Sequence, residues 1–218
     1  MKQGSTELVF ILDRSGSMAG LESDTVGGFN AMLQKQRALD GECRITTVLF
    51  SDRSELLHDR VDIRAVSPMT AQAYRVGGST ALLDAIGQTI DKLIRVQRGT
   101  AESHRAENVM FVIITDGEEN ASRTYAADQV KKMIEREREE YGWEFIFLGA
   151  NIDAVETAGR FGIQADRAAD YVPDGRGTAL NFQMMSDAVT AFRETQAIPS
   201  APFKAIREDM KKRGWRGR

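Results

Sequence analysis

The chain has 218 residues, of which 42% are hydrophobic and 28% are charged. These proportions are ordinary for a globular protein and exclude a collagen-like, low-complexity or disordered chain. The length suffices for one large domain or two small ones with a substantial core. The net charge of −3 hides an asymmetry, since residues 204–218 carry +5 and the remainder carries −8. An acidic body of this kind is not typical of a nucleic-acid-binding domain.

The cysteine content and the N-terminal segment bear on the compartment. Cys43 is the one cysteine in the sequence, which excludes an intrachain disulfide and a thiolate metal site. The first apolar run, Leu8–Leu12, is followed at once by Asp13 and does not resemble a secretory leader. No apolar stretch approaches the roughly 20 residues of a membrane-spanning helix. We therefore expect a cytoplasmic, reduced protein with no membrane association.

Hydrophobic periodicity predicts strands and helices that alternate along the chain. Short apolar runs predict strands, and apolar residues three or four apart predict helices. The more polar segment that follows the second strand is typical of an antiparallel edge strand. Predicted strands cover residues 8–12, 44–50, 55–63, 108–115, 143–148 and 168–172. Predicted helices cover residues 21–39, 83–94, 124–141, 152–161 and 178–196.

This alternation predicts an α/β fold, a doubly wound sheet with helices on both faces. The run from Val109 to Ile114 is wholly apolar, as expected for the centre of a parallel sheet that is covered on both sides. The pair Gly27-Gly28 lies inside the first predicted helix, where small residues permit close packing on the sheet. The segment from Ser67 to Val76 has no helical pattern and is predicted to be a loop.

The first predicted strand ends in Asp13-Arg14-Ser15-Gly16-Ser17. Alternate spacing in an extended segment points Asp13, Ser15 and Ser17 roughly the same way. Oxygen ligands with a single carboxylate suit a hard cation such as Mg²⁺ or Mn²⁺, rather than zinc or copper. Three oxygens are too few to complete such a site, so other parts of the chain must contribute.

Two further oxygen-bearing residues are expected at the same edge of the sheet. Asp116 follows the central strand, and Thr80 begins a helix after Gly77-Gly78-Ser79. In open parallel sheets, ligands bind beyond the carboxyl ends of the strands, where the strand-to-helix loops meet. Each residue, taken alone, also has a structural interpretation. The alternatives are helix caps for Asp13, Asp116 and Thr80, and turn formers for Ser15 and Ser17. The order of the five residues on this topology favours a shared cation site.

With these motifs the sequence resembles the von Willebrand factor A domain. Asp13-Arg14-Ser15-Gly16-Ser17 matches that family's Asp-x-Ser-x-Ser motif, while Thr80 and Asp116 match its later threonine and aspartate. The resemblance covers about residues 6–196 and implies a complete metal-ion-dependent adhesion site. It also implies a mostly parallel six-stranded sheet with one antiparallel edge strand. The domain is taken as residues 1–198, followed by a basic tail over residues 199–218.

The family pattern further implies how such a site works. Ser15, Ser17 and Thr80 would hold the metal directly, and Asp13 and Asp116 would act through water. Mg²⁺ is the expected cation, with Mn²⁺ and Ca²⁺ as alternatives. An open coordination position would take a Glu or Asp carboxylate from a partner protein. The chain is most similar to compact intracellular bacterial members, some of which work as adaptors beside an ATPase or another enzyme.

The alternative function is a metal-dependent hydrolase or phosphoryl-transfer enzyme. Against it, the sequence contains no Gly-x-x-x-x-Gly-Lys-Ser/Thr loop and no Gly-x-Gly-x-x-Gly after the first strand. His58 and His104 lie far apart in polar contexts, which predicts exposed surface positions, and Cys43 has no activating neighbour. We expect a binding module rather than an enzyme.

Several other polar residues near the predicted edge have structural interpretations. Glu118 and Glu119 are interpreted as solvated acids, and Asp52 as a turn residue. Asn151 and Asp153 follow a strand, and helix capping by Asn151 or Asp153 is the favoured interpretation.

The basic tail alternates apolar residues with lysines and arginines from Phe203 to Trp215. One interpretation is an amphipathic helix that docks on a partner, an acidic surface or nucleic acid. The other is a helix that packs back on the acidic body, or a frayed end.

Overall fold

The apolar runs of the sequence become the strands of one central sheet. The computed structural model describes residues 2–215, and the side chains from residue 4 onward. Within this range the sheet has six strands in the order β3-β2-β1-β4-β5-β6. Neighbouring strands are parallel except for β3, which pairs antiparallel with β2 at the edge. The strands are β1 (Lys2–Asp13), β2 (Cys43–Phe50), β3 (Ser54–Asp62), β4 (Ala106–Thr115), β5 (Glu144–Gly149) and β6 (Ala168–Asp170).

Helices cover both faces of this sheet, so the predicted doubly wound α/β architecture is confirmed. The segment before α2 contains no α-helix between residues 67 and 78, as its pattern predicts. None of the helices in the described range is long and apolar enough to cross a membrane. The helices are α1 (Glu22–Arg37), α2 (Leu82–Gly99), α3 (Ala127–Tyr141), α4 (Ala154–Arg160), α5 (Gly175–Thr195) and α6 (Ala201–Lys212).

The central strand β1 divides the core into two layers. Leu8, Phe10 and Leu12 pack in the layer that contains residues of α1, α5 and α6. Val9 and Ile11 face the opposite layer, which contains residues of α2, α3 and α4. Successive side chains of a strand point to opposite faces, so an unbroken apolar run is what a doubly covered strand requires.

Strand β1 is longer than its apolar run. It begins at Lys2 rather than near Leu8 because its polar first half continues the hydrogen-bonded ladder, with Thr6 opposite Cys43 of β2 and Asn108 of β4. Hydrophobicity marks the covered part of a strand, whereas backbone pairing sets its ends.

The basic tail contributes a helix that packs on the body. In α6, Phe203 and Ile206 are buried in the core layer that also contains α5. The guanidinium of Arg207 donates to the backbone carbonyls of Ala165 (2.6 Å) and Ala168. Of the two interpretations of the tail, the structure therefore places its helix against the body.

One histidine prediction is wrong. His104 is exposed as expected, but His58 on β3 is only 7% exposed. Its ring stacks on Phe29 of α1 with centroids 6.4 Å apart, and its Nδ1 lies 3.0 Å from the hydroxyl of Thr47. The neighbouring Asp59 is exposed although His58 is buried, so the polarity of the adjacent residues does not report the burial of the ring.

The two glycines of α1 provide a matched stability test. A Cβ on Gly28 would lie 2.5 Å from Cδ2 of Phe182 in α5, whereas a Cβ on Gly27 meets nothing within 4 Å. The close contact is therefore with α5 and not with the sheet. We expect Gly28→Ala to destabilise the fold by about 1–3 kcal/mol through overpacking. Gly27→Ala should stabilise it by about 0.5–1 kcal/mol through helix propensity. Urea denaturation of both variants checks this, and equal effects would contradict the packing.

His58 provides a pH test. Burial lowers the pKa of His58 below its ordinary value of 6.5. The folded protein therefore keeps the ring neutral at a pH where the unfolded chain protonates it. The contribution of His58 to stability is complete above pH 6.5 and is lost as the pH falls below that value. Between pH 7 and 5 the free energy of unfolding should fall more steeply for the wild type than for His58→Leu. Equal slopes of the free energy of unfolding against pH in the two proteins would show that folding does not lower the pKa of His58.

Candidate metal centre

The candidate site lies at the carboxyl edge of the sheet, between β1 and β4. The strand order places β2 and β3 on one side of β1, and β4, β5 and β6 on the other. The connections therefore leave these two central strands in opposite directions and open a crevice between their carboxyl ends. Strand β1 ends at Asp13 and β4 ends at Thr115, followed at once by Asp116.

Asp13 is held rigidly by its own loop and by the neighbouring strand. Its side chain is buried, with 1% of the residue exposed. One carboxylate oxygen accepts the backbone N–H of Ser15 at 2.6 Å, and the other accepts the Thr115 hydroxyl at 2.7 Å and the Asp116 N–H at 3.3 Å. The first of these bonds is local to the loop, and the N-cap of the short 3₁₀ turn that follows is Ser15 and not Asp13. The other two tie its carboxylate to β4, which a purely local turn does not explain.

Burial disfavours the ionised form of both aspartates at this edge. It raises the pKa of Asp13, although hydrogen bonds from Ser15, Thr115 and Asp116 lower that value in part. Burial, together with the nearby charge of Asp13, raises the pKa of Asp116 to about 6 against the lowering effect of the Asn151 amide. Among the described side chains, no lysine or arginine forms an ion pair with either carboxylate. A cation placed between them would therefore stabilise their ionised forms.

The two serines of the first loop present adjacent hydroxyls. Oγ of Ser15 lies 2.9 Å from Oγ of Ser17, and Ser15 is buried while Ser17 is exposed. Backbone bonds attach this loop to the segment before α2: Gly16 donates to the Gly78 carbonyl at 3.0 Å, and Gly77 donates to the Arg14 carbonyl at 2.9 Å. The loop carrying the serines and the loop leading to Thr80 therefore form one unit.

The third loop closes on the same point. A Cβ on Gly117 would lie 3.1 Å from the Ser17 hydroxyl and 3.6 Å from the Thr80 hydroxyl. Both hydroxyls therefore face the turn that follows Asp116, and the lack of a side chain at Gly117 leaves the space open. Thr80 is anchored by Asn120, whose side-chain oxygen accepts the Thr80 N–H at 2.9 Å and whose own N–H donates to the Thr80 carbonyl at 3.0 Å. The N-cap position of α2 is Ala81 and not Thr80.

The five predicted residues, Asp13, Ser15, Ser17, Thr80 and Asp116, thus lie on three loops that meet at one edge. Their donor set is two carboxylates and three hydroxyls, which suits a hard divalent cation. Within residues 2–215 no cluster of three or more His, Cys, Asp or Glu side chains is arranged to hold a metal. A cation at this edge would therefore depend on hydroxyl as well as carboxylate oxygens.

Asn151 is a site residue that sequence analysis assigned to another role. It follows β5 in a left-handed conformation, with φ of 55°, and its amide donates to a carboxylate oxygen of Asp116. The capping role belongs to Asp153 alone, which accepts the Glu156 N–H at 2.8 Å at the start of α4. The available signal was the position of Asn151 at the carboxyl end of a strand next to β4.

Three further residues support the edge from behind. Tyr74, buried in the loop before α2, donates its hydroxyl to the backbone carbonyl of Asp13. Thr115 donates to the Asp13 carboxylate as described above. Glu119 is not a solvated acid as predicted: it accepts the N–H groups of Leu83 at 2.8 Å and Ser122 at 2.7 Å, and so joins the third loop to α2. Glu118 and Asp52 are exposed, as their interpretations require.

A groove of about 470 Å³ opens beside these residues. Its polar lining includes Ser17, Asp116 and Asn151. Its apolar lining includes Leu21, Pro173 and Trp215.

Comparison with known proteins shows the fold. No family model matches the sequence, and no curated protein matches it. Among solved structures, mussel proximal thread matrix protein 1 with a zinc-occupied MIDAS motif has a TM-score of 0.59 at 13% identity, covering 85% of this chain and 46% of that one. A von Willebrand factor type A structure from Catenulispora acidiphila has a TM-score of 0.56 at 16% identity, covering 84% and 42%. The ArnB paralog VWA2 from Sulfolobus acidocaldarius has a TM-score of 0.52 at 18% identity, covering 84% and 45%.

The architecture is therefore that of the von Willebrand factor A fold. This chain spans less than half the length of each of these three proteins. At these identities the similarity concerns the fold alone.

Replacement of Asn151 tests the electrostatics of this edge. Asn151→Gly keeps the left-handed backbone accessible and removes the amide that donates to Asp116. Because that hydrogen bond lowers the pKa of Asp116, its loss should move the pKa from about 6 to a higher value.

Carbon-13 NMR of the carboxyl groups in metal-free protein measures the Asp116 titration directly. Asp153→Asn, at the neighbouring cap, is the control and should leave the Asp116 titration in place. An unchanged or lower value in Asn151→Gly would contradict the assigned contact.

Proposed function

We propose that this chain is a metal-dependent protein-binding module. Asp13, Ser15, Ser17, Thr80 and Asp116 hold a divalent cation, with Mg²⁺ as the first candidate. A Glu or Asp of a partner protein then binds at the cation. The observation that carries this proposal is the position of Gly117, which brings the Ser17 and Thr80 hydroxyls together beside Asp116.

The chemistry of the residues supports capture of an acid. In this proposal the three direct ligands are neutral hydroxyls, and neither carboxylate of the chain bonds to the cation directly. A bound cation supplies the positive charge that attracts a carboxylate. The Asp13 carboxylate is fixed by hydrogen bonds from the Ser15 N–H, the Thr115 hydroxyl and the Asp116 N–H. This fixed carboxylate keeps the other ligands in place. In this proposal Ser15, Ser17 and Thr80 are direct ligands, while Asp13 and Asp116 act through water.

The comparisons supply a second line of support. The mussel protein of the same fold has a zinc-occupied MIDAS motif. Mg²⁺ and Mn²⁺ fit the oxygen donors better in principle. Binding experiments should therefore compare Mg²⁺, Mn²⁺, Ca²⁺ and Zn²⁺.

A binding role is proposed in preference to catalysis. The residues that line the groove, within the described range, include no histidine, cysteine or lysine to act as a general base or nucleophile. Ser17 and Asp116, which do line the groove, are assigned to the cation in this proposal and not to a base or a nucleophile. The proposed partner is an ATPase or another enzyme that presents an acidic residue, and the proposed compartment is the cytoplasm.

Metal binding itself is the first test. Isothermal calorimetry with Mn²⁺ should show one site in the wild type and a loss of about 10- to 100-fold in affinity in Asp13→Ala, which removes the anchor of the ligand set. Asp52→Ala, an exposed acid at the same edge, is the matched control and should bind as the wild type does. Circular dichroism should show that both variants stay folded. Equal Mn²⁺ affinity in all three proteins would show that Mn²⁺ does not bind at the site anchored by Asp13.

Partner binding is tested separately by affinity capture in Mg²⁺ and in chelator, with the wild type and Asp13→Ala as baits. A protein retained by the wild type in Mg²⁺ alone is the expected result. Identical captures under all four conditions would contradict recognition through the metal.

A further inference from the structure

The C-terminal segment reaches the candidate metal centre. Trp215 lines the same groove as Ser17 and Asp116, although it lies about one hundred positions further along the chain than Asp116. It is partly exposed, so its indole is available to a bound molecule.

Helix α6 ends in a turn that sets the position of Trp215. Gly214 has a φ of +63°, which a glycine adopts without steric cost. The Gly214 N–H donates to the Lys211 carbonyl at 3.2 Å, and the Trp215 N–H donates to the Met210 carbonyl at 3.3 Å. These two bonds and the left-handed glycine form a Schellman motif, which reverses the chain at a defined angle.

An ion pair then fastens this turn to the body beside the groove. The Arg213 guanidinium binds both carboxylate oxygens of Asp174, one of them at 3.2 Å, and also reaches Asp209 at 3.3 Å. Asp174 is itself fixed as the N-cap of α5, where it accepts the Gly177 N–H at 2.8 Å. A two-point guanidinium–carboxylate contact adds directional specificity. Trp215 is therefore held at the groove by a chain of specific contacts.

The lining of the groove is chemically mixed. It combines the polar side chains of Ser17 and Asp116 with the apolar side chains of Leu21, Pro173 and Trp215. A second carboxylate of the lining, Asp174, is already paired with Arg213. A ligand that fits this lining carries an acid and an apolar side chain close to it.

We propose that Trp215 is a specificity-determining residue of the binding surface. The groove recognises a partner peptide in which the metal-directed Glu or Asp is followed by an apolar residue that packs on the indole. This inference rests on the proposed metal-dependent function and adds the chemistry of the neighbouring residue. Arg213 acts through Trp215 as a positioning residue.

Four blocked heptapeptides test this directly. Each has N-acetyl and C-amide ends and a glycine–serine sequence, with Glu-Leu, Glu-Ser, Gln-Leu or Gln-Ser at its centre. Chemical-shift titration in Mg²⁺ and in chelator measures their affinities, including millimolar ones. For the wild type in Mg²⁺, Glu-Leu should bind about 10-fold more tightly than Glu-Ser, as expected for partial burial of a leucine side chain.

Trp215→Ala should abolish that preference while keeping the Glu-Ser affinity and the Mn²⁺ affinity of the wild type. Tyr141→Ala removes an aromatic that is 56% exposed at the far end of α3, and this control should keep the preference. Arg213→Ala should reduce the preference for Glu-Leu, because loss of the ion pair with Asp174 releases the turn that positions Trp215.

The outcomes separate the inference from the function on which it rests. Metal-dependent binding of both Glu peptides with equal affinity, or a preference that persists in Trp215→Ala, would overturn the role of Trp215 alone. Equal behaviour of Glu and Gln peptides, or no shifts with any peptide, would overturn acid capture and the inference with it. A doubled mass by light scattering on addition of Mg²⁺ without peptide would assign the groove to a second copy of the chain instead.

Discussion

The burial of the Asp13 carboxylate is the constraint on which the candidate site depends. A buried carboxylate is costly unless hydrogen bonds or a counter-charge compensate it. Here three hydrogen bonds compensate it in part, from Ser15 on the same loop and from Thr115 and Asp116 on the neighbouring strand. Asp116 is buried beside Asp13, and burial disfavours its ionised form as well. The fold holds both carboxylates in place, and a bound cation would stabilise their ionised forms.

The sheet topology brings these two acids together at an edge of the sheet where a groove opens. Parallel pairing of β1 with β4 brings Asp13 and Asp116 to one edge, and the reversal of strand order keeps the space above them open. Two connections then bring in Thr80 and Asn151 from other parts of the chain. The same edge receives Trp215 from α6, so residues from the beginning, middle and end of the described chain share one groove.

Sequence patterns predicted most of this architecture, because a strand that is buried on both faces has an unbroken run of apolar residues. Asp13, Ser15 and Ser17 were also predictable, since the motif is local and its spacing has geometric meaning. His58, Asn151 and Trp215 were not. The burial of His58 depends on contact with α1, and the role of Asn151 depends on the orientation of one amide towards another strand. The position of Trp215 depends on how α6 docks, which no periodicity within the tail encodes.

The central claim is that three loops form one cation site at the carboxyl ends of β1 and β4. Crystals of the protein soaked in Mn²⁺, with data collected at the manganese absorption edge, test it most directly. The account predicts one anomalous peak among the hydroxyls of Ser15, Ser17 and Thr80. A peak at another place, or no peak at millimolar Mn²⁺ with the loops ordered, would contradict it.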